Sequence, residues 1–548
     1  MAFKCPQADQ RFVLEHVVRI GELSNDLEIV DAVLDGAAAL AEGEFAPLNR
    51  IGDEHRARWD NGEVTMPPGF KPAWRAFVEG GWMGLSAPES AGGQGLPLSL
   101  SAALIEDLNG ANPAFALLPV LSQGAIEALH RHGSAELKRD YLPNIVSGEW
   151  PATMNLTEPQ AGSDVGALKT RAEPAGDGSW RLTGTKIFIT YGEHDLADNI
   201  IHLVLARTSG APEGTRGISL FLVPKILPDG SRNDVRCVSI EHKMGIHASP
   251  TCVLSFGDDG GATGWLVGPE TQGMRAMFTM MNNARLNVAL QGVGIAEAAT
   301  QRAVAYALER LQSGKAIAEH PDVRRMLLRM RSLTMAARGL VYYAFGQADR
   351  GAGGDEVAAM RADVLTPLAK AWATDIGCEV ASLGIQVHGG MGFIEETGAA
   401  QHLRDARIAP IYEGTNGIQA ADLVGRKLGL DGGGAFDGLL ADIRAEAADP
   451  CLVALADAVE VAAASFRQAG PEDRLAGSYP FLTMCSVLVA GWLLERQANI
   501  VGTSDFHAAK RAAAGYFNGM MVPEALGLAA GAEIGAAMLY AVPAGALG

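Results

Sequence analysis

The chain has 548 residues, 48% of them hydrophobic and 20% charged, which is enough apolar material for three or four domain-sized cores. Its formal net charge of −19, with no tract rich in lysine or arginine, disfavours a polyanionic nucleic-acid partner. Six scattered cysteines form neither a CxxC pattern nor a disulfide framework, so they read as reduced thiols in a reducing compartment.

Met1–Gln10 is polar and lacks an apolar signal core, so export is not expected and a cytoplasmic location is. Apolar residues three and four apart, such as Phe12, Leu14, Val17, Val18 and Ile20, predict a helical domain over residues 1–150. A Pro- and Gly-rich loop, "SAPESAGGQGLPLS", interrupts it. The period then changes. "WRLTGTKIFITYG", "NIIHLVLART", "GISLFLVPK" and "TCVLSF" are short β-branched runs divided by turn residues, and they predict an antiparallel sheet or barrel over 151–268.

From Met274 the helical period returns, with Met277, Phe278 and Met281 on one face. Val323, Met326, Leu327, Met330 and Leu333 mark a second helix, opened by Pro321. A third runs over Asp355–Gly384, with Pro367 as a kink or join, and a last one should follow Asn416. Together these predict a four-helix bundle over 269–430. "LGLDGGGAFDG" reads as a linker, and 431–548 as an extra C-terminal helical domain. The longest apolar run, Phe481–Leu494, has 14 residues, too few to span a bilayer, and reads as a buried helix. The expected fold class is mainly α with a central β domain, in α–β–α order plus the C-terminal helices.

Three stretches could carry chemistry. "MNLTEPQAGSDVGALKT" offers Thr157, Ser163 and loop N–H groups suited to a flat heteroaromatic ring or a pyrophosphate, or it is a polar interdomain turn. "GIQVHGGMGF" runs a helix into Gly389 and Gly390, either for close approach of a ligand or as a helix cap. "IYEGTNG" sets Glu413 between apolar and small residues, as a general base in a dry pocket or as an anion at a helix start. His388 and His402 have no second ligand at helical spacing, so a metal is not expected. Arg404, Asp405 and Arg407 read as an ion-pair cluster on a helix, and Met277, Met280 and Met281 as core. No GxGxxG or P-loop motif is present.

In this order and register, "LTEPQAGSDVG", "KIFIT", "QVHGGMGF" and "IYEGTNGIQ" resemble the motifs of the acyl-CoA dehydrogenase family of flavoproteins over roughly Gly80–Leu430. "RFVLEHVV", "TMMNNARLNVALQGVG", "EHPDVRRMLL" and the helical C-terminal region resemble the branch that includes 3-methylmercaptopropionyl-CoA dehydrogenases. The resemblance implies FAD as cofactor, and dehydrogenation of an acyl-CoA to the trans-2-enoyl-CoA. The substrate would be 3-methylmercaptopropionyl-CoA or a fatty acyl-CoA.

By the same resemblance Glu413 is the base that takes the α-proton, and its backbone N–H polarises the thioester. Met154, Leu156, Thr157, Ser163, Phe188 and Thr190 line the flavin. Arg310, Gln386, Gly389, Gly390 and Thr415 hold its adenine–diphosphate side, partly across a subunit interface. Ser163, Asn282, Arg285 and Gly414 contact the acyl-CoA. Phe188 stands where many members carry tryptophan, and Gly417 where many carry glutamine. The implied partners are electron-transfer flavoprotein as electron acceptor and a second copy of the chain in a homodimer, or three copies in a tetramer. An oxygen-using acyl-CoA oxidase and a non-catalytic flavin-bearing binding protein are the alternatives.

Overall fold

After a first helical stretch over Gln7–Val18, Asp26 caps the helix α1 (Leu27–Leu40), its carboxylate accepting from Glu28 N at 3.0 Å and Ile29 N at 3.2 Å. The computed structural model describes residues 2–24 and 26–548; Met1, at the head of the polar start, and Asn25 lie outside the described residues. Helix α1 buries Val30, Val33, Leu34 and Ala37, a stripe at helical spacing. It packs on α2 (Leu98–Ala111), which is separated from α3 (Pro113–His132) only by Asn112. Asn112 Oδ1 accepts from Phe115 N at 3.2 Å, and Pro113 sits at the first helical position, where a missing N–H costs nothing. A small hairpin, Arg58–Asp60 with Glu63–Thr65, interrupts this otherwise helical region.

The strand runs form an eight-stranded sheet: β1 (Ala152–Asn155), β2 (Arg171–Pro174), β3 (Trp180–Thr190), β4 (Ile201–Thr208), β5 (Ile218–Pro224), β6 (Val235–Ile240), β7 (Thr251–Phe256) and β8 (Ala262–Val267). Neighbours run β8-β5-β4-β2-β3-β7-β6, and β8 closes the ring by also pairing with β3. The expectation of a purely antiparallel sheet is corrected here. Both β1 and β2 pair with β4 in parallel, β1 at Ile201–Val204 and β2 at Arg207–Thr208. They lie in tandem along one edge of β4. The polar loop 156–170 is therefore an excursion from a single line of pairing, and the chain resumes its original direction after it.

The long helices are α4 (Gly273–Glu309), α5 (Pro321–Ala352) and α6 (Glu356–His388). Asp355 caps α6, accepting from Ala358 N at 3.0 Å. Pro367 lies inside one continuous α6 rather than at a join. Helices α4 and α6 touch backbone to backbone, since a Cβ at Gly292 would sit 2.1 Å from the carbonyl oxygen of Ala373. Two short helices complete the bundle, α7 (Ala399–Ala406) and α8 (Asn416–Gly425).

The stretch read as a linker is shorter than expected. Only Leu430–Gly433 is non-helical, and α9 (Gly434–Glu446) begins within the stretch. Then follow α10 (Pro450–Gln468), α11 (Ser478–Ala498) and α12 (Asp505–Tyr516). The apolar run sits within the 21-residue α11, which is long and apolar enough to cross a membrane but has 78% of its most apolar window buried in the fold. It packs on α5, α6 and α8 and buries Phe481, Leu493 and Trp492.

Candidate active site

Glu413 lies in the loop between α7 and α8. Its φ is +55°, a left-handed conformation that costs a residue with a Cβ roughly 1–2 kcal/mol. Gly414 follows at φ +83°, where only glycine is free of that cost. Three side chains hold this strained pair. Arg285 Nε on α4 donates to the Glu413 carbonyl at 3.3 Å, and Lys370 Nζ on α6 donates to the Gly414 carbonyl at 2.8 Å. Gln419 Nε2 reaches both carbonyls at 3.4 Å. Tyr412 OH donates to Gln291 Oε1 on α4. With the carbonyls drawn into the protein, the N–H of Glu413 has no acceptor among the described residues. Thr415 Oγ1 accepts from Ile418 N at 3.2 Å and starts α8.

Glu413 is half-buried, and its carboxyl accepts no hydrogen bond among the described residues. Burial pushes that carboxyl up to about 7, against the opposing fields of Arg285 and Lys370. Burial also pushes Lys370 down to about 7, although Glu413 and Asp375 favour its charged form. The result is a carboxyl pushed towards neutrality, beside a backbone donor without an acceptor among the described residues. Asn282 completes the group, its Oδ1 accepting from Arg285 Nη1 at 3.4 Å.

The excursion 156–170 is fastened to β3 by a buried ion pair. Lys186 Nζ meets Glu158 Oε1 at 2.9 Å and the Leu156 carbonyl at 3.0 Å, while Ile187 N donates to the Thr157 carbonyl at 2.9 Å. Burial would raise the Glu158 carboxyl, but the Lys186 charge and the Thr170 and Lys169 donors hold it down to about 2. Lys186 is the last paired residue before a register shift of the β3–β7 pairing, with Phe188 at φ +60° on the bulge and 58% exposed. Leu156 and Thr157 are thus held against β3, while Met154 lies on β1, Thr190 ends β3 and Ser163 is exposed on the excursion.

A second group lies elsewhere. Gln386, Gly389 and Gly390 are exposed at the end of α6, and Arg310 is exposed at the end of α4. The two ends coincide, because Tyr306 stacks on His388 with centroids 4.3 Å apart. Lys370 and His388 are 18 residues apart on α6, which is about 27 Å at 1.5 Å per residue. Within one chain, then, Arg310, Gln386, Gly389 and Gly390 are far from Glu413 and from Thr415.

His402 Nε2 accepts from Arg302 Nε at 3.2 Å, and among the described residues no group of three or more His, Cys, Asp or Glu side chains is placed to hold a metal. The expected cluster of Arg404, Asp405 and Arg407 does not form. Arg404 pairs with Asp53 and Glu395, Asp405 accepts from Ile246 N at 2.6 Å, and Arg407 turns to Cys378. Their spacing spreads them around the helix end, so each meets a different neighbour. Sequence reasoning missed Lys370, Gln419 and Lys186. A lone lysine inside "PLAKAWA" was the available signal for the first.

Four family descriptions match successive parts of the chain. They are Acyl-CoA dehydrogenase, N-terminal domain, over 30–149; the middle domain over 153–258; the C-terminal domain over 271–428; and Acetyl-CoA dehydrogenase C-terminal like, over 436–543. The 3-methylmercaptopropionyl-CoA dehydrogenase of Ruegeria pomeroyi is 46% identical, over 94% of this chain and 95% of that protein. The chain belongs to the acyl-CoA dehydrogenase family.

Among solved structures, butyryl-CoA dehydrogenase from Megasphaera elsdenii is 29% identical with a TM-score of 0.64, over 73% of this chain and 98% of that one. ACDH-11 from Caenorhabditis elegans is 21% identical with a TM-score of 0.82, over 95% of this chain and 92% of that one, and so shares the fold including its C-terminal helices. As an acyl-CoA dehydrogenase, the protein is an oxidoreductase that uses FAD to dehydrogenate an acyl-CoA thioester. The residues present fit that cofactor. Phe188 presents a free ring face on a bulge, and the N–H groups of Gly162 and Ser163 have no acceptor among the described residues. Near Glu413, Gln291 Nε2 and Gln419 Oε1 are buried without a partner.

Proposed function

We propose that Glu413 removes the α-proton of the acyl thioester while its own N–H, with the help of the Gly414 turn, holds the thioester oxygen. What supports this reading is the pairing of a carboxyl poised near 7 with a backbone donor left free because both neighbouring carbonyls are tethered. Bound FAD supplies the acceptor for the β-hydride, at N5. Arg285 and Asn282, beside Glu413 on α4, contact the thioester end of the substrate. Phe188 stacks beside the flavin, with Met154, Leu156, Thr157, Ser163 and Thr190 lining it from the β domain, and Ser163 also faces the acyl-CoA.

Arg310, Gln386, Gly389 and Gly390 are too far along α4 and α6 to serve the same flavin as Glu413, so they serve a second copy, and Thr415 completes the adenine–diphosphate side. This makes the protein a homodimer. Exposed apolar residues beside that group, Met391, Phe393 and Ile394, support an interface there. The natural electron acceptor is electron-transfer flavoprotein, and six unpaired cysteines support a cytoplasmic location. The domains are taken as 1–150, 151–268, 269–430 and 431–548.

The proposed substrate is 3-methylmercaptopropionyl-CoA or a fatty acyl-CoA of similar length, in line with the named relatives. The test is anaerobic bleaching of the bound flavin across a panel holding 3-methylmercaptopropionyl-CoA, butyryl-CoA and longer and branched acyl-CoAs. Fast, complete bleaching by a short or thioether acyl-CoA is expected. Bleaching confined to long or branched chains contradicts the substrate reading, and none at all contradicts the reaction.

A further inference from the structure

The C-terminal domain touches the base loop through a chain of polar contacts. Tyr479, near the start of α11, donates from its hydroxyl to Asp375 Oδ2 at 2.5 Å. Asp375 Oδ1 accepts from Asn416 Nδ2 at 2.9 Å, and Asn416 Oδ1 accepts from Lys370 Nζ at 2.9 Å. Lys370 Nζ then donates to the Gly414 carbonyl at 2.8 Å. Asn416 is fixed at its centre, donating also to the Ala371 carbonyl and to Thr374 Oγ1, both at 3.0 Å. A lysine without exposed surface, directed at a loop carbonyl rather than a carboxylate, is an unusual use of charge.

We propose that Lys370 is a positioning residue for Glu413, and that Tyr479 of the C-terminal domain sets it in place through Asp375 and Asn416. Lys370 acts on the base in two ways. It tethers the Gly414 carbonyl, which keeps Glu413 left-handed and its N–H without an acceptor among the described residues. Its charge also favours the carboxylate form of Glu413. The other groups that bear on this pair are Arg285 on α4, Asp422 on α8 and Arg426 just after it, Tyr412 on the loop itself, and Arg407, which faces Asp375. Tyr479 works at one remove. Its hydroxyl favours ionised Asp375, ionised Asp375 favours charged Lys370, and charged Lys370 favours ionised Glu413. Any break in this series has the same sign: the Glu413 carboxyl gains its proton at higher pH.

The inference rests on Glu413 being the base, and the experiment separates the two claims. Anaerobic flavin reduction by the best acyl-CoA is followed against pH for the FAD-loaded wild type, Lys370→Met, Lys370→Arg, Tyr479→Phe and Glu413→Gln. Lys370→Met should lose roughly tenfold to a hundredfold in limiting rate through misplacement of the base. Its acidic limb should also move up by about one pH unit through loss of the cation. Lys370→Arg should keep the limb in place at a reduced rate. Tyr479→Phe should retain FAD and move the limb in the same direction by less. A slower Lys370→Met with an unmoved limb reduces Lys370 to a structural role and overturns the proposal, as does an unaltered rate. If Lys370→Met does not fold, Tyr479→Phe decides alone, an unmoved limb overturning the proposal. If Glu413→Gln still turns over, the base assignment has failed, whatever the other variants do.

Discussion

Arg338→Met should destabilise the protein by about 3–5 kcal/mol without touching the active site, because it removes one member of a buried ionic cluster. Arg338 is 0% exposed. Its Nε donates to Glu106 Oε1 at 2.8 Å, its Nη1 to Asp9 Oδ2 at 3.2 Å, and its Nη2 to Glu297 Oε2 at 2.8 Å. Arg331 and Lys510 also pair with Asp9, and Arg331 Nη1 lies 2.9 Å from Glu297 Oε2. The cluster thus joins the N-terminal segment, α2, α4, α5 and α12. Three carboxylates, Asp9, Glu106 and Glu297, are matched by three cations in the wild type. In the variant they face two, and Glu106 keeps only the hydroxyl of Tyr342 at 2.7 Å.

Methionine fills much of the volume but answers none of the three acceptors, so the cost is that of a buried carboxylate without its partner. Against a total stability of about 5–15 kcal/mol per cooperative unit, that is a large fraction. Urea unfolding followed by far-UV circular dichroism, with FAD in excess, reads it as a lower midpoint at unchanged slope. Acidification from about pH 8 to about pH 5 should recover part of the loss, because a protonated acid is cheaper to bury than an unpaired carboxylate. A variant within about 1 kcal/mol of wild type at pH 8 would refute the reasoning, by showing that Arg331 and Lys510 suffice.

The rate of flavin reduction should rise with pH through about 7, since burial raises the Glu413 carboxyl and only its ionised form accepts a proton; stopped-flow absorbance across pH checks this. A chain ending at Gly432 should be insoluble, because the faces of α5, α6 and α8 that cover Phe481 and Trp492 would lie open; a soluble, fully active truncation contradicts this packing. The purified protein should be yellow, and acid precipitation should release all its FAD into the supernatant; flavin left in the pellet would mean a covalent link.

Order and periodicity made the large elements legible. The 37, 32 and 33 residues of α4, α5 and α6 present long apolar faces, and Pro321 and Asp355 mark two of their starts. The parallel pairing of β1 and β2 with β4 left no such trace, because a strand's period is the same whichever way its neighbour runs. The "DNG" of "RWDNGEVT" did announce a hairpin turn, with Asn61 and Gly62 both at positive φ, but the strands beside it have three residues each and no alternation to support it.

At the site, "IYEGTNG" pointed to Glu413 through its isolation among apolar and small residues. The side chains that set its geometry come from α8, six positions on, and from α4 and α6, far from it in sequence. Arg285 and Lys370 are separated from Glu413 by 128 and 43 positions, so their convergence is a property of the packing of α4 on α6. The contact of Tyr479 with Asp375 spans 104 positions and crosses from one helical unit to another.

The central claim is that Glu413 is the base, and the most direct measurement is the anaerobic rate of flavin bleaching in Glu413→Gln beside wild type with the best acyl-CoA. Glutamine keeps the size and the left-handed backbone contacts but cannot take the α-proton. The variant should bind FAD and perturb its spectrum on adding acyl-CoA, yet bleach more slowly by on the order of 10²–10⁴, the contribution of a positioned base. Bleaching within about tenfold of wild type would contradict the account, because a different group would then be removing the proton.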